Sequence, residues 1–319
     1  MAFLVKVGVT HSHAGLRKAN SFGRPPVNVV CSLRDDLRMR NFLFSVMVLV
    51  GLTAGCVESK ETRGVASSAA SQRESSGLDA LFSHPSPDSI PGGQRGEQIR
   101  LGYELVVQTQ QFAAPYAGNR LTCANCHLDA GLDPNSASYV GLSRAYPEYR
   151  PRAGKVLTLA DRINECFERN LNGKAIPQDS HKLQAIVAYI EWLSKDVPTG
   201  SRMAWRGIPS LPSSKPPDPV NGAKVFTARC AFCHGADGQG TMAAPPVWGA
   251  QSYSLGSDMA RVSVAAAFIK SNMPRTRGWA LSDQDAYDVA AYINSQPRPD
   301  VAGRSRDWPK GEKPADVPH

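Results

Sequence analysis

The pentapeptide Cys-x-x-Cys-His occurs twice in this chain, and each copy predicts one covalently bound haem. The copies are Cys123-Ala-Asn-Cys126-His127 and Cys230-Ala-Phe-Cys233-His234. Two thiols at this spacing can each add to one vinyl group of the same porphyrin, and the histidine that follows can bind the iron. The alternatives are weaker, since a zinc half-site needs a second ligand pair and a thioredoxin motif does not need the histidine.

An export signal is expected, because haem attachment of this type takes place outside the bacterial cytoplasm. Met39 begins a short basic stretch, and an apolar run at 42–52 and small residues follow it. This order predicts a signal peptide over 39–55. The apolar run is too short to span a bilayer stably. Residues 1–38 are interpreted as an upstream over-extension of the reading frame.

The signal peptide ends in Ala54-Gly55-Cys56, which resembles a lipobox and predicts a lipid anchor at Cys56. Thr53 departs from the leucine that such boxes usually hold. Ordinary cleavage near the same place is therefore the alternative. The expected location is the periplasm, with attachment to a membrane through the Cys56 lipid.

The positive charge of the chain lies largely in the segment that would be removed. The full chain has a formal net charge of +8, and residues 1–55 hold seven Lys/Arg and two Asp/Glu. The remainder therefore carries a net charge of about +3, which gives no support for a nucleic-acid partner.

Composition divides the rest of the chain into five parts. Residues 56–95 are rich in Ser, Gly and charge, which predicts a flexible tether. A first haem domain at 96–197 and a second at 219–299 follow. The linker between them, 198–218, is rich in Pro and Ser. Residues 300–319 are predicted to be a polar tail.

The two domains repeat the same order of helices, which predicts an all-α fold of two tandem cytochrome c-type haem domains. Each begins with a helix, at 96–111 and at 219–230, and the haem motif follows. Each ends with an amphipathic helix that begins after a serine cap, Ser180 in the first domain and Ser282 in the second.

The second axial ligand of the second haem is predicted to be Met273, which precedes Pro274. A thioether ligand raises the haem potential and suits electron transfer. Met242 and Met259 remain as alternatives, although methionines are also common packing residues.

The first domain places Cys166 at the same interval after His127 as Met273 lies after His234. This register predicts Cys166 as the axial ligand of the first haem. A thiolate donates strongly to ferric iron and is itself nucleophilic. The alternative is a buried free thiol, with His181 or Met203 bound to the iron instead.

Basic residues are dense around Cys166. Two of them, Arg162 and Arg169, lie at i−4 and i+3 and would share its face of a helix. Guanidinium groups suit tetrahedral oxyanions, although surface arginines are often only solvated and some would bind haem propionates. A sulfur ligand among arginines indicates a small anionic sulfur substrate. The basic residues are Arg144, Arg150, Arg152, Lys155, Arg162 and Arg169.

Four segments together resemble the dihaem thiosulfate dehydrogenase and tetrathionate reductase family. They are Ile-Arg-Leu-Gly-Tyr-Glu-Leu at 99–105, the first haem motif with Leu128, Asp-Arg-Ile-Asn-Glu-Cys-Phe-Glu-Arg at 161–169 with Asn172-Gly173, and Ile-Lys-Ser-Asn-Met-Pro at 269–274. The resemblance implies oxidative coupling of two thiosulfates to tetrathionate, or the reverse. It also implies Cys166 as the ligand of the catalytic haem and Arg152 and Arg162 as substrate-binding residues.

The resemblance further implies that electrons pass from the Cys/His-ligated haem to the Met/His-ligated haem and on to an external cytochrome. Some members carry a lysine directly before the ligating methionine and exchange ligands on reduction. Here that position is Asn272, and the nearest lysine is Lys270, so such a switch is not expected.

Two other functions compete with the enzyme. One is a non-catalytic periplasmic dihaem carrier or a subunit of a respiratory complex, which needs both haems but does not explain a thiolate among arginines. The other is a dihaem peroxidase, for which the sequence offers nothing specific.

Overall fold

The fold is seen in a computed structural model, which describes residues 82–213 and 215–318. The predicted over-extension, the signal peptide, Cys56 and the tether as far as residue 81 lie outside the described residues. All described residues belong to one compact unit.

Helices make up most of the described secondary structure. The six longest are α1 (Gly93–Val107), α2 (Leu159–Arg169), α3 (His181–Leu193), α4 (Pro219–Arg229), α5 (Val262–Asn272) and α6 (Asp283–Asn294). Four-residue helices form at Thr109–Phe112, Leu128–Gly131 and Ala231–His234. Single 3₁₀ turns form at Pro87–Ser89, Ala114–Tyr116, Cys123–Asn125, Leu142–Ala145, Asp258–Ala260 and Arg304–Arg306.

One small hairpin interrupts the helical architecture. Its strands, β1 (Glu148–Arg150) and β2 (Lys155–Leu157), are antiparallel, and Tyr149 lies opposite Val156. Three-residue strands carry too little periodicity to be found from the sequence. The all-α prediction is confirmed apart from this hairpin. No helix in the described part of the chain is long and apolar enough to cross a membrane.

The predicted helix caps are present. The Ser180 side chain accepts a hydrogen bond from the Lys182 N–H, and Ser282 accepts one from the Asp285 N–H. Asp218 caps α4 in the same way. These bonds satisfy N–H groups that have no partner inside the helix, and these three helices therefore begin where the sequence predicts. The helix predicted at 96–111 instead begins at Gly93 and ends at Val107, and a separate short helix follows at Thr109–Phe112.

The first and last helices of each domain cross at a glycine. A Cβ placed on Gly102 of α1 would lie 2.1 Å from the Ala185 carbonyl oxygen of α3. In the second domain, a Cβ on Gly222 of α4 would lie 2.0 Å from the Asp288 carbonyl oxygen of α6. The shared contact shows that the sequence repeat is also a repeat of packing.

Each domain has its own hydrophobic core. The first is built around α1 and α3, with Tyr189 and Phe167 fully buried, and the second around Phe226 and α6. Met259 packs against both cores. The domains are also joined by hydrogen bonds, since the Ser252 carbonyl oxygen accepts from the Asn119 and Asn172 side chains.

The Pro/Ser-rich linker is packed rather than free. Trp205 is buried against Val140 and Val197, and its Nε1–H donates to the Val140 carbonyl oxygen at 2.8 Å. The Tyr287 hydroxyl of the second domain donates to the Leu211 carbonyl oxygen at 2.6 Å.

Residues 300–318, predicted as a polar tail, also pack against the body. Asp307 accepts two hydrogen bonds from Arg169, at 2.7 and 2.8 Å, and its side chain is 6% exposed. Asp316 pairs with Arg261, and Val317 is buried. Acidic residues of this segment form ion pairs with the haem domains.

Candidate haem and substrate site

The histidine of the first motif is prepared to bind a metal through one ring nitrogen. His127 Nδ1 lies 2.7 Å from the Ala137 carbonyl oxygen, so Nδ1 carries the proton and donates it. Burial lowers the pKa of His127 to about 4, which keeps the ring neutral. Tyr139 stacks on the ring at 4.4 Å. Nε2 is left with its lone pair, as an iron ligand requires.

The second motif has the same arrangement. His234 Nδ1 donates to the Pro245 carbonyl oxygen at 2.8 Å, and burial lowers the pKa of the ring. The following loop lies against the motif, because the Thr241 hydroxyl donates to the Cys233 carbonyl oxygen at 2.6 Å.

The four motif cysteines form no disulfide. Burial raises the pKa of Cys123 to about 11, that of Cys126 to about 12 and that of Cys230 to about 11. Paired free thiols beside a neutral histidine with a fixed tautomer fit covalent haem in both domains.

A cavity of about 390 Å³ lies beside the first motif. His127 and Cys166 both line it, so the structure brings the two predicted ligands of the first haem to one space. The two rivals of Cys166 lie elsewhere. His181 is exposed at the start of α3, and Met203 packs with the buried linker tryptophan.

Contacts at the start and in the middle of α2 hold this helix and with it Cys166. Thr158 and Asp161 form a capping box at its start, with reciprocal bonds of 3.1 and 2.9 Å. Further along, the Asn164 side chain makes two hydrogen bonds to the backbone of Ile176. With the helix fixed, the i and i+4 positions Arg162 and Cys166 both line the cavity.

Arg162 is the predicted substrate arginine that lines this cavity. Its pKa is raised, chiefly by the Cys166 sulfur and further by Asp258 and Glu165, while burial opposes the increase. Its guanidinium lies 3.3 Å from Glu165 and 3.6 Å from Asp258. Arg162 is therefore a fixed positive charge beside the sulfur.

Arg152 does not line the cavity. It follows β1, and its guanidinium donates to the Gly256 carbonyl oxygen at 2.8 Å and to the Asp258 carboxylate. The ring of Trp308 covers its other side at 4.8 Å. Arg152 therefore meets the cavity only through Asp258. Arg169 is also directed elsewhere, to Asp307.

Several cavity residues were not found by sequence reasoning. Arg206 comes from the linker, and Asp258, Met259 and Arg261 come from the second domain. Arg150 was noted only as part of the basic cluster around Cys166. No local signal marks the distant residues, because only the packing of the two domains brings them to the first haem motif.

Met273 packs against the second core, as does Cys230. Of its rivals, Met242 is fully exposed and Met259 lines the first cavity. Lys270 is bound to Asp283 and to the Leu281 carbonyl oxygen, each at 2.7 Å. Asn272 is buried and donates to the Asn135 carbonyl oxygen of the first domain at 3.1 Å.

Comparison with known proteins agrees with the two-domain fold. The family model for the cytochrome c domain of SoxA/TsdA matches residues 109–199, and the cytochrome c model matches residues 219–297. Thiosulfate dehydrogenase of Stutzerimonas stutzeri is 41% identical over 227 residues, which cover 69% of this chain and 74% of the relative. The chain belongs to the thiosulfate dehydrogenase family.

Two further relatives support the assignment to this family. Thiosulfate dehydrogenase of Allochromatium vinosum is 40% identical, over 67% of this chain and 83% of the relative. The solved structure of thiosulfate dehydrogenase (TsdBA) from Marichromatium purpuratum is 40% identical, with a TM-score of 0.63. That match covers 67% of this chain, which spans about half (49%) of the TsdBA chain.

Membership of this family identifies the chain as an oxidoreductase with two cytochrome c domains and two covalently bound haem c groups. The fold predicted from the repeated helices and the two haems predicted from the paired Cys-x-x-Cys-His motifs are both confirmed.

Proposed function

We propose that this chain interconverts thiosulfate and tetrathionate, two thiosulfates giving one tetrathionate and two electrons. One observation carries the proposal: His127, Cys166 and Arg162 line a single cavity in the first domain. The names of the relatives support the same reaction.

The shared cavity of His127 and Cys166 and the equal intervals in the sequence support a set of iron ligands. We assign His127 and Cys166 to the first haem and His234 and Met273 to the second. When bound, the haem groups take up the two electrons that the coupling of thiosulfate releases.

The other contribution of the protein to the reaction is electrostatic. Coupling forms one S–S bond between the terminal sulfurs of two dianions, and no proton is gained or lost. Two dianions repel each other strongly when they are brought into contact. Arg162 offers a guanidinium that can bind the sulfonate oxygens in a bidentate manner beside the Cys166 sulfur. A carrier protein has no need for this arrangement, which disfavours the non-catalytic alternative.

The electron partner is proposed to dock where the second motif reaches the surface. Phe232, between the two motif cysteines, is 94% exposed, and Met242 is fully exposed on the loop bound to Cys233. Lys224 and Arg229 on α4 are also exposed. An apolar centre with basic neighbours fits a c-type cytochrome that has acidic residues around its own haem edge.

Phe232→Ser should raise the KM for a cytochrome acceptor of this kind about threefold to thirtyfold, because an exposed aromatic anchor is lost. Steady-state thiosulfate oxidation with the cytochrome, and separately with ferricyanide, measures the effect. The ferricyanide rate should not change. Val220→Ser, which removes another exposed apolar side chain of the same domain, is the control. Equal effects of the two variants would exclude Phe232 as the docking centre.

Protein-film voltammetry of the dihaem protein tests the proposed reaction itself. We expect an oxidative catalytic current with thiosulfate and a reductive one with tetrathionate. A protein that exchanges electrons with the electrode, but gives no catalytic current with either compound, would be a carrier.

We propose a periplasmic location, with a lipid anchor at Cys56. The support is the site of haem attachment and the signal-peptide pattern at 39–55.

A further inference from the structure

Asp258 of the second domain is the only acidic residue among the described residues that line the first-domain cavity. Four arginines line the same space. Three of them pair with acids outside the lining, since Arg150 and Arg206 pair with Glu148, and Arg261 pairs with Asp316. Arg162 also has an acid outside the lining, Glu165 at 3.3 Å, and it is the lining arginine that in addition lies within 4 Å of Asp258.

Both arginines that the family resemblance assigns to the substrate converge on this one carboxylate. Arg152 donates to Oδ1 of Asp258, and Arg162 lies 3.6 Å from Oδ2. Two guanidinium groups on separate oxygens of one anion form the arrangement that a tetrahedral oxyanion would also bind. The Asp258 carboxylate therefore occupies the position of a bound anion.

Of the three side chains, Asp258 is the most exposed to solvent. Its side chain is 40% exposed, whereas those of Arg152 and Arg162 are 13% and 22% exposed. Arg152 is also fixed by the Gly256 carbonyl oxygen and by the Trp308 ring. The backbone N–H of Trp308 donates to the Arg152 carbonyl oxygen at 2.9 Å. The guanidinium groups therefore have further contacts that hold them, whereas the ion pairs of the carboxylate are with these two arginines.

We propose that Asp258 is an internal competitor for the anion site, a carboxylate that thiosulfate must displace. This inference rests on the proposed function. The carboxylate keeps the arginines paired in the absence of substrate and weakens the binding of every oxyanion. Small dianions without a reactive sulfur, such as sulfate, are then held too weakly to block the site. The same competition favours release of tetrathionate.

Asp258→Asn removes the charge but keeps an oxygen that can accept from Arg152. We expect the dihaem variant to bind sulfate about tenfold more tightly or better than the wild type at low ionic strength. Sulfate-dependent thermal stabilisation of the oxidised protein measures this affinity without turnover. The KM for thiosulfate should fall in parallel, and both gains should shrink with added salt.

Two further variants separate charge from structure. Asp179→Asn makes the same charge change at an exposed residue that does not line the cavity, and it should leave sulfate affinity unchanged. Asp258→Glu keeps the charge and should bind sulfate as weakly as the wild type. In an Arg162→Ala background, Asp258→Asn should bring a smaller gain, because only the competition for the Arg152 guanidinium remains.

Unchanged or weaker sulfate binding in Asp258→Asn, with both haems present, overturns the proposal. If Asp258→Asn does not retain its haems, Asp258→Ser is measured in the same way with the same expectation. A wild type without thiosulfate turnover would refute the proposed function instead. Sulfate binding would still report on the competition by Asp258.

Discussion

Cys166→Met is expected to leave a folded protein with two haems and to lower thiosulfate turnover by about two orders of magnitude or more. Methionine keeps a sulfur atom at this point of α2, but a thioether is uncharged and is a much weaker nucleophile than a thiolate. The Arg162 guanidinium loses the neighbour that most raises its pKa. Turnover in both directions, haem content and the thiolate features of the optical spectrum are the measurements.

Met203→Leu is the control for this prediction. Met203 is the rival sulfur, and it packs with Val140, Val197 and Trp205 away from the cavity. Its replacement should change neither the spectrum nor the turnover. If Met203→Leu alters the first haem and Cys166→Met does not, the ligand assignment is wrong, and the case for catalysis at the Cys166 haem is lost.

Arg162→Ala is expected to lower kcat/KM for thiosulfate about tenfold to hundredfold, since a charge-assisted hydrogen bond contributes about 1.5–3 kcal/mol. The loss should appear mainly in KM, because the contact is made to the substrate anion on binding. Arg152→Ala should act in the same direction but more weakly, because Arg152 lies behind Asp258. Steady-state kinetics per mole of haem, with haem content measured separately, checks both variants.

Arg144→Ala is the matched control, because it removes the same charge from the same basic cluster. Arg144 donates to the carbonyl oxygens of Ser194 and Lys195 and does not line the cavity. Its kcat/KM should stay near the wild-type value. A comparable loss in Arg144→Ala would mean that overall positive charge, rather than Arg162, attracts the substrate. Loss of haem with unchanged kcat/KM per haem would assign Arg162 to a propionate.

The structure separates arginines that the sequence could only group together. Arg162 lies beside the sulfur, Arg152 lies behind Asp258, and Arg169 anchors the C-terminal segment through Asp307. Of Arg152, Arg162 and Arg169, Arg162 is the one that lines the cavity, and Arg152 would reach the substrate only where Asp258 is displaced. The polar C-terminal segment is therefore packed against the haem domains, although its composition resembles that of a free tail.

The features that the sequence alone determined were those carried by local patterns. Two Cys-x-x-Cys-His motifs were enough for two haems, because the thiols and the histidine of each motif act within five residues. The apolar stripes and serine caps located α3 and α6, because helix formation depends on neighbours three and four positions away. The equal intervals from His127 to Cys166 and from His234 to Met273 made these two residues counterparts in the sequence.

Only the tertiary structure decided what surrounds Cys166. Asp258, Met259 and Arg261 follow the first haem motif by more than a hundred residues, and they reach the first cavity because the two domains pack together. Trp308 lies further still along the chain, yet it covers Arg152. Side-chain contacts between distant segments leave no periodic pattern in the sequence. The chemistry of the haem motifs was therefore readable from the sequence, whereas the charge balance at the substrate site depends on the fold.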